Sequence, residues 1–344
     1  MTIKNFEKIF DKSMTSVKAH ECIAYIESSN GNFSWNKGYG GKDLDTPIIM
    51  ASVSKLFTTT CILALQDQAK LSLEDKITKY FDSDILKGLH IYKGKDYSLE
   101  LTISNLLFQT SGLPDVFGEG KNNLNKRSVH EDISVSFDEY IAIAKQLKPH
   151  FEPNTKNRAY YSDLNFEMLG KIIEKVTNET LKDSYQKFIF EPLGLKNTYL
   201  PTSEKEFIPH SFYKDKKIFR NNLILSIPAC GGGVSTAREM MVFLKGFFGG
   251  KLFDKTILEQ NQLYKPLQIT MGGIHYGCGH MQIKLNGIVT GFKDKGSIIG
   301  HVGMSGTFAF YYPEKDLYLV GDVAQYADPG MCVRLAMRLA LGAN

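Results

Sequence analysis

The chain has 344 residues, 43% hydrophobic and 23% charged, the balance of an ordinary globular protein with enough material for one large domain or two smaller ones. Its 41 lysines and arginines against 37 aspartates and glutamates leave a formal charge of +4. With no long basic block beside it, that charge excludes a nucleic-acid-binding surface, and no apolar window is long enough for a membrane span.

From Met1 to Phe10, apolar residues recur at helical spacing but are interrupted by charge. A signal peptide needs an unbroken apolar run of about 7–15 residues, so the reading here is a first helix and a cytoplasmic location. Cys22, Cys61, Cys230, Cys278 and Cys332 are odd in number and scattered in apolar settings, as expected of reduced core thiols. Two alternating runs, Cys22 to Glu27 and Asn32 to Tyr39, flank Ser28-Ser29-Asn30-Gly31, and Asn-Gly between such runs signals a hairpin.

Next comes the apolar run Ile48 to Phe57, with Ser52 and Lys55 inside it. If a helix starts near Ser52, Lys55 lies one turn on and on the same face, where its amine can take part in removing the serine proton. The helix N-terminus adds partial positive charge beside the oxygen. The same spacing occurs at Ser34/Lys37, Ser184/Lys187 and Ser211/Lys214. The first lies in a strand-like alternation that points the pair to opposite faces, the second on a solvated helix face, the third beside the charged loop Lys214 to Lys217. Ser52 alone has apolar residues on both sides, although a helix cap with a snorkelling lysine has the same pattern.

Residues 69–240 read as mostly helical with many turns. Helices are expected near Phe137 to Leu147, Leu164 to Val176 and Leu181 to Phe190, the last stopped by Pro192-Leu193-Gly194. Within this region Tyr160-Tyr161-Ser162-Asp163 stands at the mouth of a helix, where a tyrosine and an acid two apart could flank a substrate or simply pack and cap. The run Ala229 to Thr236 has three glycines but lacks the lysine of a phosphate loop; a close backbone approach explains it better.

The last hundred residues change character: Tyr276 to Lys284, Gly287 to Phe292, Ser297 to His301, Thr307 to Tyr312 and Leu317 to Val323 read as short strands, and Met331 to Leu341 as a closing helix. Such short connections require antiparallel pairing. The expected fold is therefore α/β (α+β): one antiparallel sheet built from both termini and flanked by helices (residues 1–68 and 241–344), with a mainly helical insertion (69–240) and a site where the two meet. Gly300 to Thr307 adds a third constellation, whose glycines let the backbone approach a ligand and offer an amide to an oxyanion.

Taken together and in this order, Ser52-Val53-Ser54-Lys55, Tyr161-Ser162-Asp163 and His301-Val302-Gly303 resemble the three motifs of the serine β-lactamase-related family, which includes class C β-lactamases, D-alanyl-D-alanine carboxypeptidases and esterases. Gln109 to Pro114, Glu191 to Leu195 and Gly231 to Thr236 extend the resemblance over about residues 20–325. It implies that Ser52 attacks an acyl carbonyl of a small ester, amide or β-lactam-like substrate without a cofactor or metal. Lys55 and Tyr161 would handle the proton, and the amides of Ser52 and Met304 would hold the oxyanion. Gly303 and Asp163 would border the substrate, and His301 would orient its carboxylate or leaving group. Asp163 departs from the family's usual asparagine, replacing a donor–acceptor with an acceptor and favouring a charged Lys55. This departure, with no export signal seen, points to an esterase or amidase; the alternatives are a β-lactamase or D-alanyl-D-alanine carboxypeptidase, and, from another class, a non-catalytic binding or scaffold member.

Two decoys fall away. Gly303-Met304-Ser305-Gly306-Thr307 lacks the last glycine of a nucleophile elbow, and His275 on a strand would face away from Cys278 and His280, leaving no third metal ligand.

Overall fold

The computed structural model describes residues 3–16, 19–121, 123–261, 263–287 and 290–343. Both ends of the chain do meet in one antiparallel sheet. Its eight strands run, edge to edge, Ser34–Tyr39, Cys22–Ser28, Leu317–Asp322, Thr307–Tyr312, Ser297–Val302, His280–Lys284, His275–Gly277 and Lys265–Pro266. The first pair turns at Gly31, with φ +73°, while Asn30 accepts the Asn32 N–H through its side chain, the chemistry expected of Asn-Gly. Strand Leu317–Asp322 is buried at every position, and since successive side chains alternate, both faces of the sheet are covered there. The Ala237–Phe248 helix packs on this strand and its neighbours, as does the closing helix Gly330–Gly342, which also meets the first helix, Ile3–Ser16. Phe6 and Phe10 of that first helix reach Trp35 at ring separations of 5.5 and 6.1 Å.

Between the first hairpin and the Lys265 strand the chain is mainly helical, as the sequence implies. Helices Phe137–Gln146 and Asp163–Thr177 fall where the apolar spacing predicts them, the former with a Ser136/Glu139 capping box. The expected Leu181–Phe190 helix is helical to Tyr185, widens through Gln186–Phe190 and ends at Gly194, φ +67°. Two short hairpins, Ile91–Tyr92 with Lys95–Asp96 and Ser211–Tyr213 with Lys216–Ile218, interrupt the helical pattern.

The long strand expected over 276–284 is instead a hairpin. Cys278 (φ +24°) and Gly279 (φ +75°) turn the chain against the Lys55–Asp67 helix, where a side chain on Gly279 would collide with Thr59. The strand expected over 287–292 lies partly outside the described residues. Its described ends form a turn in which Thr290 and Phe292 donate their N–H groups to Gly287 O.

A small two-stranded pairing decides where the site lies. Ile48–Ile49 pairs with Val234–Ser235, the Met50 N–H donates to Gly233 O at 2.9 Å, and Ser54 Oγ accepts the Gly233 N–H at 2.9 Å. The apolar run before Ser52 is thereby zipped to the glycine-rich segment, which explains why side chains are missing there: a Cβ on Gly233 would meet the Ser54 hydroxyl and Met50 sulfur at 2.9 and 3.0 Å.

Candidate active site

Ser52 sits in the tight turn Ala51–Ser54 that opens the Lys55–Asp67 helix. Ala51 takes φ +44°, a left-handed conformation unusual for a residue with a side chain, and this bend brings the Ser52 hydroxyl to the cleft. Lys55, fully buried, donates from Nζ to Ser52 Oγ at 3.0 Å and to the Cys230 carbonyl at 2.8 Å, and pairs with Asp163 Oδ1 at 2.5 Å. At that distance the contact of Lys55 with Asp163 is a close, charge-assisted ion pair. Nζ lies 5.0 Å from the Tyr161 ring centre and 5.5 Å from that of Phe166.

Burial, the largest single effect, would depress the Lys55 ammonium, but the charge of Asp163 together with the other groups around Nζ outweighs it and the net shift is upward. Lys55 therefore rests as an ammonium. The Tyr161 hydroxyl is pushed well above the ordinary phenol by burial and then by the Asp163 charge, against a hydrogen bond with Ser52, so it rests as a neutral O–H.

The Tyr161-Ser162-Asp163 stretch is held by the Gln109 to Pro114 segment. Gln109 Oε1 accepts the Ser162 N–H at 3.0 Å, Gln109 O accepts the Tyr160 N–H at 2.8 Å, and Ser162 Oγ donates to Pro114 O at 2.8 Å. Gln268 Oε1 takes the Tyr161 N–H at 3.0 Å. Asp115 accepts the Asp163 N–H, and burial together with the Asp163 charge pushes its carboxyl up to about 7.

On the opposite wall, Gly303 and Met304 line the cleft. Gly303 gives its N–H to Thr307 O at 2.7 Å, and a Cβ there would lie 2.6 Å from Met50 O and 2.9 Å from the Ala51 Cβ. Glycine is thus dictated by the close approach of this wall to the serine turn. Ser305 Oγ and Thr307 Oγ1 both donate to Ile49 O, at 3.0 and 2.6 Å, tying the same wall to the strand before Ser52.

The structure brings Ser52, Lys55, Tyr161 and Asp163 together and sets Gly303 and Met304 opposite them. His301 differs from the expectation. Its side chain is enclosed behind the cleft wall, 6.0 Å from the Tyr161 ring and 5.9 Å from the Tyr276 ring, with Tyr276 OH 3.4 Å from Nε2. Burial, then the Lys55 charge, holds it well below the ordinary imidazole, hence neutral. Where the ring sits, its contacts are the Tyr276 hydroxyl and the Val302 carbonyl, 2.8 Å from Nδ1.

Ser305 is buried and engaged with Ile49, and His280 is taken up by Tyr264 OH at 2.6 Å and by Cys278 O. Three contributors carry little or no signal in the sequence: the main-chain carbonyl of Cys230, the side chain of Gln268, and Glu167, buried one turn beyond Asp163. Asp115, next to the glycine-leucine-proline run, could have been found from its place in that segment.

The cleft has a volume of about 510 Å³. Its walls are largely apolar, with Phe117, Leu223, Ile224, Ile227, Met271 and Met304 facing it, and carry Glu119, Asn125 and Arg220 among them.

Comparison with known proteins agrees with this architecture. A family model described as Beta-lactamase matches residues 10–329. A penicillin-binding protein of Bacillus subtilis (strain 168) is 31% identical over 274 residues, 74% of this chain and 54% of that protein. Protein flp of Staphylococcus aureus (strain MRSA252) is 31% identical over 181 residues, 49% of this chain and 32% of flp. The matched stretches thus span about half and about a third of these longer relatives. Among solved structures, the D-amino acid amidase from Ochrobactrum anthropi SV3 superposes with a TM-score of 0.78 at 20% identity, over 97% of this chain and 98% of the amidase, a likeness of fold.

Proposed function

We propose, from the premise that this chain belongs to the Beta-lactamase family, that it is a serine hydrolase that cleaves a small ester or amide through an acyl-enzyme. The observation that carries the reading is the buried Lys55 amine 3.0 Å from Ser52 Oγ, held between Asp163 and the Cys230 carbonyl. A lysine is not enclosed at full desolvation cost beside a serine for packing alone.

In this mechanism the substrate carbonyl oxygen lies against the amides of Ser52 and Met304, since Gly303 has given its own N–H to Thr307. Lys55, once its ammonium proton has passed by way of Asp163 to solvent, takes the Ser52 proton as Oγ bonds to the carbonyl carbon. The resulting tetrahedral oxyanion collapses, the bond to the leaving group breaks, and the neutral Tyr161 O–H supplies the proton the leaving group needs; Lys55 returns that proton to Tyr161. Water then attacks the acyl-enzyme by the reverse sequence, releasing the acid and restoring Ser52.

The apolar walls favour a bulky hydrocarbon or aryl group. Asp163, an acceptor where an amide would also donate, favours simple esters and amides over β-lactams. Hydrolysis of p-nitrophenyl esters from acetate to octanoate tests this: kcat/KM rises with chain length to about six carbons, as expected when buried CH2 groups each contribute roughly 0.8 kcal/mol, and the Ser52→Ala protein shows no turnover. Retained turnover in that variant, or a preference for acetate, contradicts the reading.

A further inference from the structure

The helix Asp163–Thr177 buries an apolar face made by Leu164, Phe166, Leu169, Ile172 and Ile173, and in its midst stands Glu167, only 5% exposed. Packing gives no reason for a carboxylate there, and an unpaired one would be costly. Its partners supply the reason. Oε1 accepts the N–H of Cys230 at 2.8 Å and that of Ala229 at 3.2 Å. The carbonyl of the same Cys230 accepts Lys55 Nζ at 2.8 Å.

We infer that Glu167 is a positioning residue for Lys55, acting through the Cys230 peptide: it fixes the carbonyl that keeps the amine aimed at Ser52. The inference rests on the reading that Ser52 is the nucleophile.

Three acceptors surround Nζ, and they do not pull alike. Asp163, charged and at 2.5 Å, is the strongest; the Cys230 carbonyl and Ser52 Oγ are neutral. With the carbonyl displaced, a flexible lysine stem would follow the carboxylate and leave the serine. The Cys230 carbonyl shares its peptide plane with the Gly231 N–H, which donates to Ile227 O at 2.9 Å and orients that plane from its C-terminal side. In the preceding plane, Ala229–Cys230, Thr58 Oγ1 donates to Ala229 O at 2.6 Å. Glu167 accepts the Cys230 N–H of that same plane and the Ala229 N–H of the plane before it, donors that would otherwise be buried without a partner, and so fixes the Cα from which the Lys55-binding carbonyl departs. The segment is continuous with the Gly233 bonds to Met50 and Ser54, so this glutamate ties the inserted helix to the same glycine run that pairs with the strand before Ser52.

The test uses the full chain and a fluorophosphonate, comparing wild type with Glu167→Gln and Glu167→Met. Glutamine keeps an oxygen for both amides; methionine fills the space without one. The rate constant of labelling reports the geometry of folded molecules, and the amplitude reports how many are folded, so a destabilised variant still gives an answer. We expect Glu167→Gln to label within about threefold of wild type and Glu167→Met at least about thirtyfold more slowly, the scale of a misplaced proton-transfer group. With an ester substrate the loss should fall on kcat, with KM within about twofold. Wild-type rates for Glu167→Met, or an equal loss in Glu167→Gln, overturn the positioning role alone. A wild-type chain that takes no label on Ser52 overturns the functional reading and this inference with it.

Discussion

At the scale of single residues, the account turns on two protons. Lys55 rests as an ammonium because Asp163 and the other groups around Nζ together outweigh burial, and Tyr161 rests as a phenol because burial and Asp163 act in the same direction. If the two hand one proton between them, their losses cannot be independent. Lys55→Ala and Tyr161→Phe should each lower kcat by about a hundredfold or more, and the double variant by little more than either alone. Effects that multiply would separate the two roles. Asp163→Asn has a sign that can be worked out. Removing the charge that raises the Lys55 pKa leaves burial, which lowers it, so the neutral amine forms at lower pH and the pH of half-maximal acylation falls. The added amide donor should also raise reactivity with a penicillin relative to a simple ester. A single-turnover pH profile of both proteins with one ester and one β-lactam checks both; no movement of either would mean Asp163 stands apart from the chemistry.

At the scale of elements, the site depends on how closely the Gly303–Met304 wall approaches the Ala51–Ser54 turn. Gly303→Ala places a methyl 2.6 Å from Met50 O, a main-chain atom that cannot move aside without carrying Ser52 with it. We expect kcat to fall by about a hundredfold, as when one oxyanion donor is lost, with KM changed far less; a variant with wild-type kcat would show that the two walls need not be this close. This scale also separates what could be read in the sequence from what could not. The Asn30-Gly31 hairpin was legible because its turn chemistry is a local rule, whereas the Ser52/Lys55 spacing, which recurs elsewhere in the chain, was singled out by its apolar context and by its order with the Tyr161 and His301 motifs. The Cys278-Gly279 turn was not, since cysteine is no usual turn residue and its left-handed backbone is imposed by packing on the Thr59 side of a distant helix. The direction of His301 was hidden because strand alternation gives two faces without saying which one looks into the cleft. Glu167 passed for one more charge on an amphipathic helix, and the Cys230 carbonyl has no side-chain signature at all.

At the scale of the whole molecule, the order of the chain explains why the site forms only in the finished fold. The sheet needs strands from both ends of the sequence, and the residues around Ser52 come from segments near 49–55, 109–115, 161–167, 230–233, 268–271 and 302–305. A hairpin, a helical insertion and a return to the sheet bring them together, and the architecture was legible because alternation at the two ends and helical spacing between them persist over long stretches. The claim that this convergence makes Ser52 a nucleophile is tested most directly by peptide mass spectrometry after reaction of the full chain with a fluorophosphonate. The account expects one phosphonyl adduct, on Ser52, in the wild type, and none in Ser52→Ala with an unchanged melting temperature. An adduct on Ser305, or an unlabelled wild type, would contradict it.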